Sequence, residues 1–389
     1  MPWVEAMDQR LRFVADCLAG QETIVDVCAR YGISRKTGYK WLGRYEAQGG
    51  AGLAERSHAP LAHGTRTDQA LVDALLQLKA ARPKWGPRKL IGRLKLDHPQ
   101  LAWPSASTAG GYLKQAGLVG MRHRRYRAQP TPGGLTMPAG PNDVWAVDYK
   151  GWMMLGDGRR CEPLTITDLF SRYLVTLSAG GSVRGQEARP WFEEAFEING
   201  LPLVIRSDNG SPFASTGITG LTSLSAWWIS LGIRPERITP GRPQQNGSHE
   251  RFHLTLLEAM NPPAANRNQQ AKRFDAFRED FNTYRPHEAL GQIPPSQLYK
   301  ASPRKFSGQP PDPKYPDGAT LRQVRTTGEI KWRGELVQIS KALKGQTLLL
   351  EENNQGGWMI IFYDYPLGVI DRATNRLEPL SDPNDDQNL

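Results

Sequence analysis

The spacing of apolar residues changes twice along the 389-residue chain, and these changes constrain its fold more than any other feature. In the first third apolar positions recur at helical spacing, from Asn142 short β-rich runs alternate with helices, and from Leu321 only strands remain. At ~150 residues per domain the length allows two to four cores, and no repeat period links the segments. The divisions fall at 1–60 and 61–120 for two all-α units, 121–141 for a basic, Pro/Gly-rich linker and 142–300 for an α/β core. A second linker at 301–320, a small all-β barrel at 321–380 and an acidic, disorder-prone tail at 381–389 complete the multi-domain chain.

Charge follows the same divisions. Residues 1–140 carry 21 basic and 10 acidic side chains, residues 141–300 carry 17 of each, and residues 301–389 carry 11 and 12. The net +10 therefore resides in the helical third, which marks a polyanion-binding part joined to balanced ones. Three cysteines, none in a CxxC pair, exclude a disulfide framework and a structural zinc site. The absence of a secretory leader and of any run near 18 apolar residues points to a cytoplasmic protein without a membrane partner.

The first helical unit has the order of a helix-turn-helix. Helices over 5–19 and 23–31 precede Ser34, an N-cap for a basic helix that carries Arg35, Lys36, Thr37, Lys40 and Arg44. Tyr39, Trp41 and Leu42 are expected to face inward, and Gly38 is a weak point costing about 1 kcal/mol. Helices over 68–81, 86–96 and 105–116 form a second unit, whose Lys84, Arg88 and Lys89 suggest another contact with double-stranded DNA. The stretch MRHRRYRAQP at 121–130 sets Arg122, Arg124, Arg125 and Arg127 around Tyr126, a strip suited to phosphates or a minor groove.

Three acids of the balanced core stand out by context. Asp148 lies inside the strand VWAVDYK, where aspartate is disfavoured. Asp208 ends the apolar strand of LVIRSDNG, at the mouth where open α/β sheets place ligands, with Gly210 expected in a left-handed turn. Glu250 follows GRPQQNGSHE and starts a helix with Phe252, Leu254, Leu256 and Leu257. Acids from two strands and a helix can converge on a pair of hard cations that stabilise the attacking and leaving oxygens of a phosphodiester displacement. Arg242, Gln245, Asn246 and His249, just ahead of that helix, suit contacts to phosphates or terminal bases.

The ordered set VWAVDYKG, ITDLFSRY, RSDNGSPF, PGRPQQNGSHERFH and YRPHEALGQIPPSQLY resembles the catalytic core of insertion-sequence transposases of the DDE type, related to retroviral integrases. The resemblance implies an RNase H-like fold for 142–300, and the catalytic, metal-binding triad falls on Asp148, Asp208 and Glu250. It further implies two Mg²⁺ ions, with Mn²⁺ able to substitute, cleavage and transfer of DNA strands at terminal inverted repeats, and a homodimer or higher homo-oligomer. The helical units are similar to the end-binding region of such transposases, and GEIKWRGELVQISKALKGQTLLLEE is similar to their C-terminal β domain.

Two acids depart from the pattern. Glu236 is the alternative third acid if the 41 residues between Asp208 and Glu250 are misaligned, although it lacks the NGxxE context. Asp168 is read as a strand-end residue bonding turn amides or Arg172, with direct metal contact as the rival role. His287 is read as structural. Two other functions stay open on the residues alone: a non-catalytic, domesticated DNA-binding regulator, and an RNase H-like structure-specific nuclease that does not join strands.

Overall fold

The computed structural model describes residues 2–55, 67–120, 134–239, 245, 247–353 and 356–380, with only the backbone of residues 2–6, 248 and 250. The chain divides into two compact units, residues 1–66 and 67–389.

In the first unit α1 (Pro2–Leu18), α2 (Ile24–Arg30) and α3 (Arg35–Gln48) enclose Phe13, Val14, Val27, Cys28, Leu42 and Leu53. Thr23 caps α2 by accepting from the Asp26 amide, and Ser34 caps α3 by accepting from the Thr37 amide. Gly38 is not a weak point but a close approach, because a Cβ there would lie 2.4 Å from Cys28 Sγ. Tyr39 differs from expectation: it is 57% exposed, on the same outer face as Arg35, Lys36 and Lys40.

The second unit opens with α4 (Gln69–Ala81), α5 (Pro87–Asp97) and α6 (Ala106–Gln115), packed through Leu75, Trp85, Leu90, Ile91, Leu94 and Leu113. A six-stranded sheet follows: β1 (Val144–Tyr149), β2 (Met153–Met154), β3 (Arg160–Asp168), β4 (Leu174–Gly180), β5 (Val204–Ser207) and β6 (Arg234–Arg237). β3 pairs antiparallel with β4 and β1, whereas β5 runs parallel to β1 and β6 parallel to β5.

Helices cover both faces. On one face α7 (Gly185–Asn199) and α8 (Ser223–Ser230) bring Phe192, Phe196, Trp227 and Trp228 onto Trp145, Val147, Leu164 and Ile205. On the other, α9 (Gly247–Ala259) and α10 (Arg267–Glu279) pack Phe252, Leu256 and Phe274 against Cys161, Leu174 and Leu177. Burying each aromatic side chain contributes about 1.5–3 kcal/mol, so these two layers fix the helices to the sheet.

The C-terminal region is all β. β7 (Thr320–Gln323), β8 (Glu329–Trp332), β9 (Glu335–Gln338), β10 (Thr347–Glu352), β11 (Trp358–Phe362), β12 (Tyr365–Ile370) and β13 (Leu377–Glu378) share one core. Pairing among the described residues gives an open five-stranded order β13-β12-β11-β10-β7 and a separate β8-β9 hairpin, not the closed ring expected of a barrel. Ala226 and Ile229 of α8 join this core, so α8 is buried on both sides, in keeping with a sequence that carries no charged residue.

Candidate active site

The site is built from the parallel pair at the middle of the sheet. β1 and β5 are in register with Val144 opposite Val204 and Ala146 opposite Arg206, so Asp148 and the residue just past β5, Asp208, occupy matching positions. Side chains alternate along a strand, so both carboxylates leave the sheet on the face opposite Trp145, Val147 and Ile205, at the C-terminal ends of the strands. Asp208 Oδ1 accepts from the Gly210 amide at 3.1 Å, and Gly210 does not take the expected left-handed conformation.

Helix α9 crosses above Asp148 and carries the backbone of Glu250. A polar hub fixes that crossing: Thr165 Oγ1 donates to Asp148 O at 3.0 Å and lies 3.2 Å from His249 Nε2 and 3.1 Å from His253 Nε2. Thr165 stands opposite Asp148 in the β1–β3 ladder, while the two histidines are one helical turn apart on α9. Burial, followed by mutual repulsion, pushes His249 down to about 3. Burial, followed by Lys150, holds His253 at about 4. Both rings are therefore neutral near pH 7, although His253 Nδ1 sits 3.8 Å from Asp148 Oδ2. Desolvation outweighs that carboxylate because the ring is 92% shielded while the acid is still partly solvated.

This arrangement answers several expectations. His249 is buried at 1% exposure and turned onto Thr165, so it is not placed to touch DNA. Gln245 Oε1 accepts from the Thr239 amide at 2.7 Å, closing its own loop. Arg242 and Asn246, like Arg122, Arg124, Arg125 and Arg127, lie outside the described residues. Glu236, the alternative third acid, is engaged instead as the half-buried ion-pair partner of Arg206, on the neighbouring strand β6. Asp168 is fully buried and accepts from Asn142 N, Ser171 N and Ser171 Oγ at 2.7, 2.7 and 2.5 Å, which gives it the turn-bonding role. Burial nevertheless holds its carboxyl above the usual range, with those three hydrogen bonds opposing the shift.

The second helical unit packs on the core with its basic side chains. Arg82 pairs with Asp280, Lys89 donates to Pro286 O, and Arg93 donates to Tyr284 O at 3.2 Å while lying 4.4 Å over its ring. Lys89 is thus a docking residue and not one facing a phosphate. Arg88 is 72% exposed in a 2.7 Å pair with Glu288, a contact worth little in water, and Lys84 is exposed. On α3, Arg35, Lys36 and Lys40 are exposed around the Ser34 cap, with Thr37 and Arg44 half-buried.

Sequence reasoning missed Thr165 and His253. Thr165 lies outside the ordered motifs and His253 is only the last residue of one of them, and their contact spans 88 residues of chain. The only legible signal was the pair of histidines four apart on an amphipathic helix.

The donor chemistry fits a hard cation. Asp148 and Asp208, joined by a helix-borne glutamate, would offer only oxygen, while the nearby imidazole Nε2 atoms are committed to Thr165. Among the described residues no three His, Cys, Asp or Glu side chains form a metal cluster, and the side chain of Glu250 is not among them. No described helix is long and apolar enough to cross a membrane.

Comparison with known proteins matches the core and its flanking domains. Residues 138–243 and 231–295 match the integrase core domain, 9–60 a helix-turn-helix domain, 37–113 a homeodomain-like domain, and 319–378 the C-terminal domain of IS481 family transposases. An uncharacterised protein of insertion element IS476 from Xanthomonas euvesicatoria is 29% identical over 254 residues, 64% of this chain and 70% of that protein. One of IS407 from Burkholderia multivorans is 29% identical over 234 residues, 59% and 81% of the respective chains. One of IS136 from Agrobacterium tumefaciens is 32% identical over 146 residues, 35% and 72%. The chain belongs to the insertion-element transposases that carry an integrase-like core behind helix-turn-helix domains.

Proposed function

We propose that this protein is a DDE transposase that grips the terminal inverted repeats of its element and cleaves and transfers their strands into target DNA. The observation that carries the reading is the matched placement of Asp148 and Asp208 on adjacent parallel strands beneath α9, the helix of Glu250. Asp148, Asp208 and Glu250 would hold two Mg²⁺, or Mn²⁺ in their place; when bound, such a pair supplies activation of the attacking oxygen and stabilisation of the leaving one.

The protein's own residues do the rest. Thr165, His249 and His253 hold α9 at a fixed height over β1, so the backbone that carries the third acid is fixed above the two strand acids. Asp208 accepts from the Gly210 amide through Oδ1. Residues 1–140, with Arg35, Lys36 and Lys40 on the exposed face of α3, would bind the ends of duplex DNA, and two ends require two or more copies of the chain. A water molecule attacks first at the element end and frees a 3′-hydroxyl; that hydroxyl then attacks target DNA in line, so no covalent protein intermediate forms.

The test is cleavage of duplex carrying the element end in Mg²⁺. Wild type should nick at the end, whereas Asp148→Asn, Asp208→Asn and Glu250→Gln should each lose at least 10³-fold in rate, on the order of 4 kcal/mol of transition-state stabilisation, with DNA affinity kept. Full activity of any one of them removes that residue from the metal set.

A further inference from the structure

The alternative third acid takes part in a second polar cluster beside the site. Arg206 and Glu236 are directly opposite in the parallel β5–β6 ladder, with side chains 7% and 12% exposed, and Arg206 Nε donates to Glu236 Oε2 at 2.6 Å. Everything else in the cluster converges on Thr136, in the segment that leads into the core. Its amide and hydroxyl donate to Glu236 Oε1 at 2.8 and 2.7 Å, Arg206 Nη2 donates to its carbonyl at 2.5 Å, and Arg234 donates to its hydroxyl oxygen.

Burying two charges costs free energy that apolar residues of equal size would not incur, so the cluster is a poor way merely to hold β5 to β6. What it does that an apolar pair would not is hold one backbone position at one height on the sheet. Arg206 precedes Asp208 by two residues in the same extended run, so Thr136 is fastened by a side chain on the face of the sheet that carries Asp208. In sequence Thr136 follows Arg127, the last arginine of the basic strip, by nine residues, a reach of at most about 30 Å.

We propose that Arg206, Glu236 and Thr136 form a positioning clamp that sets the distance between the DNA-gripping part of the chain and Asp208, and so selects which phosphodiester enters the site. The inference rests on the transposase reading above. None of the three touches the reacting atoms; they act through the path of the connector.

The experiment uses the full chain and duplex carrying the element end. Glu236→Gln and the milder Thr136→Val should bind that duplex within about twofold of wild type. They should cleave it more slowly, at least tenfold for Glu236→Gln, and the cuts should spread to neighbouring phosphodiesters. In parallel, hydrogen exchange of the Thr136 amide should speed up in Glu236→Gln, a readout independent of activity. Cutting by both variants at the wild-type position and rate overturns the clamp, as does unchanged exchange at Thr136. Loss of all cleavage in Glu236→Gln with wild-type cutting by Thr136→Val also overturns it, by making Glu236 a metal acid. If instead Asp208→Asn cleaves like wild type, the transposase reading fails, and the exchange measurement alone decides the clamp. Should Glu236→Gln not fold, Thr136→Val decides it by cut position.

Discussion

Helices α3 and α5 share one signature, basic side chains around a mid-helix glycine, yet the protein uses them in opposite ways. On α3 the glycine and the charges lie on different faces: Gly38 presses against Cys28 inside, while Arg35, Lys36 and Lys40 face out with Tyr39. On α5 they share a face. A Cβ on Gly92 would lie 2.7 Å from Gln292 Cβ of the core, and Lys89 and Arg93 flank that contact as they reach Pro286 and Tyr284. Gly38 and Gly92 thus mark packed positions, whereas Gly43 of α3 is exposed, and the charges beside Gly92 serve docking.

That contrast can be broken most sharply by DNA binding. Replacing Arg35, Lys36 and Lys40 together with alanine should lower affinity for end DNA by about 10² or more. It should also reduce the slope of log K against log salt by up to about 0.9 for each phosphate no longer neutralised. Lys89→Ala should leave both unchanged; a salt slope that falls equally in Lys89→Ala would refute the distinction. Next in size, Gly38→Ala should destabilise the first unit by about 1–3 kcal/mol despite the better helix propensity of alanine. Adding Cys28→Ala should restore part of that loss, read by thermal unfolding with exchange at α3 amides.

Asp280→Asn removes the partner of Arg82, both about one-third exposed, and should weaken docking of residues 67–120 by about 1–2 kcal/mol. Faster proteolysis between α6 and β1, with α4–α6 still helical, is the expected result. The smallest effect is on pH dependence. Burial, then Arg285, pushes Lys89 down to about 8, with Glu288 opposing. The native state therefore releases this proton before the unfolded chain does, so the contribution of Lys89 to stability is unfavourable below about pH 8 and improves as pH rises from about 8 toward about 10.4. Lys89→Met should abolish that rise in denaturant titrations across the window.

The strand acids were legible because an aspartate inside a buried strand, and another at a strand end, violate local preference unless something binds them. The Ser34 cap was legible too, and the helix starts placed at Thr23, Asp68 and Ser105 turn out to be capped by those side chains. What the sequence hid was every contact made across the fold. Thr165 meets the α9 histidines 84 and 88 residues away, and Arg82 meets Asp280 198 residues away. Tyr39 was assigned inward and is exposed, and alternation in the C-terminal strands reports strand count and not closure. The two readings of Glu236 separated only once its ladder partner was known.

Everything proposed for the core depends on Asp148, Asp208 and Glu250 converging on one pair of cations, and electron paramagnetic resonance of Mn²⁺ bound to the protein with element-end DNA can decide whether they do. Two spin-coupled ions roughly 4 Å apart are expected in wild type and in Glu236→Gln, with the coupled signal lost in each of Asp148→Asn, Asp208→Asn and Glu250→Gln. A coupled pair that survives Glu250→Gln but not Glu236→Gln would contradict that convergence.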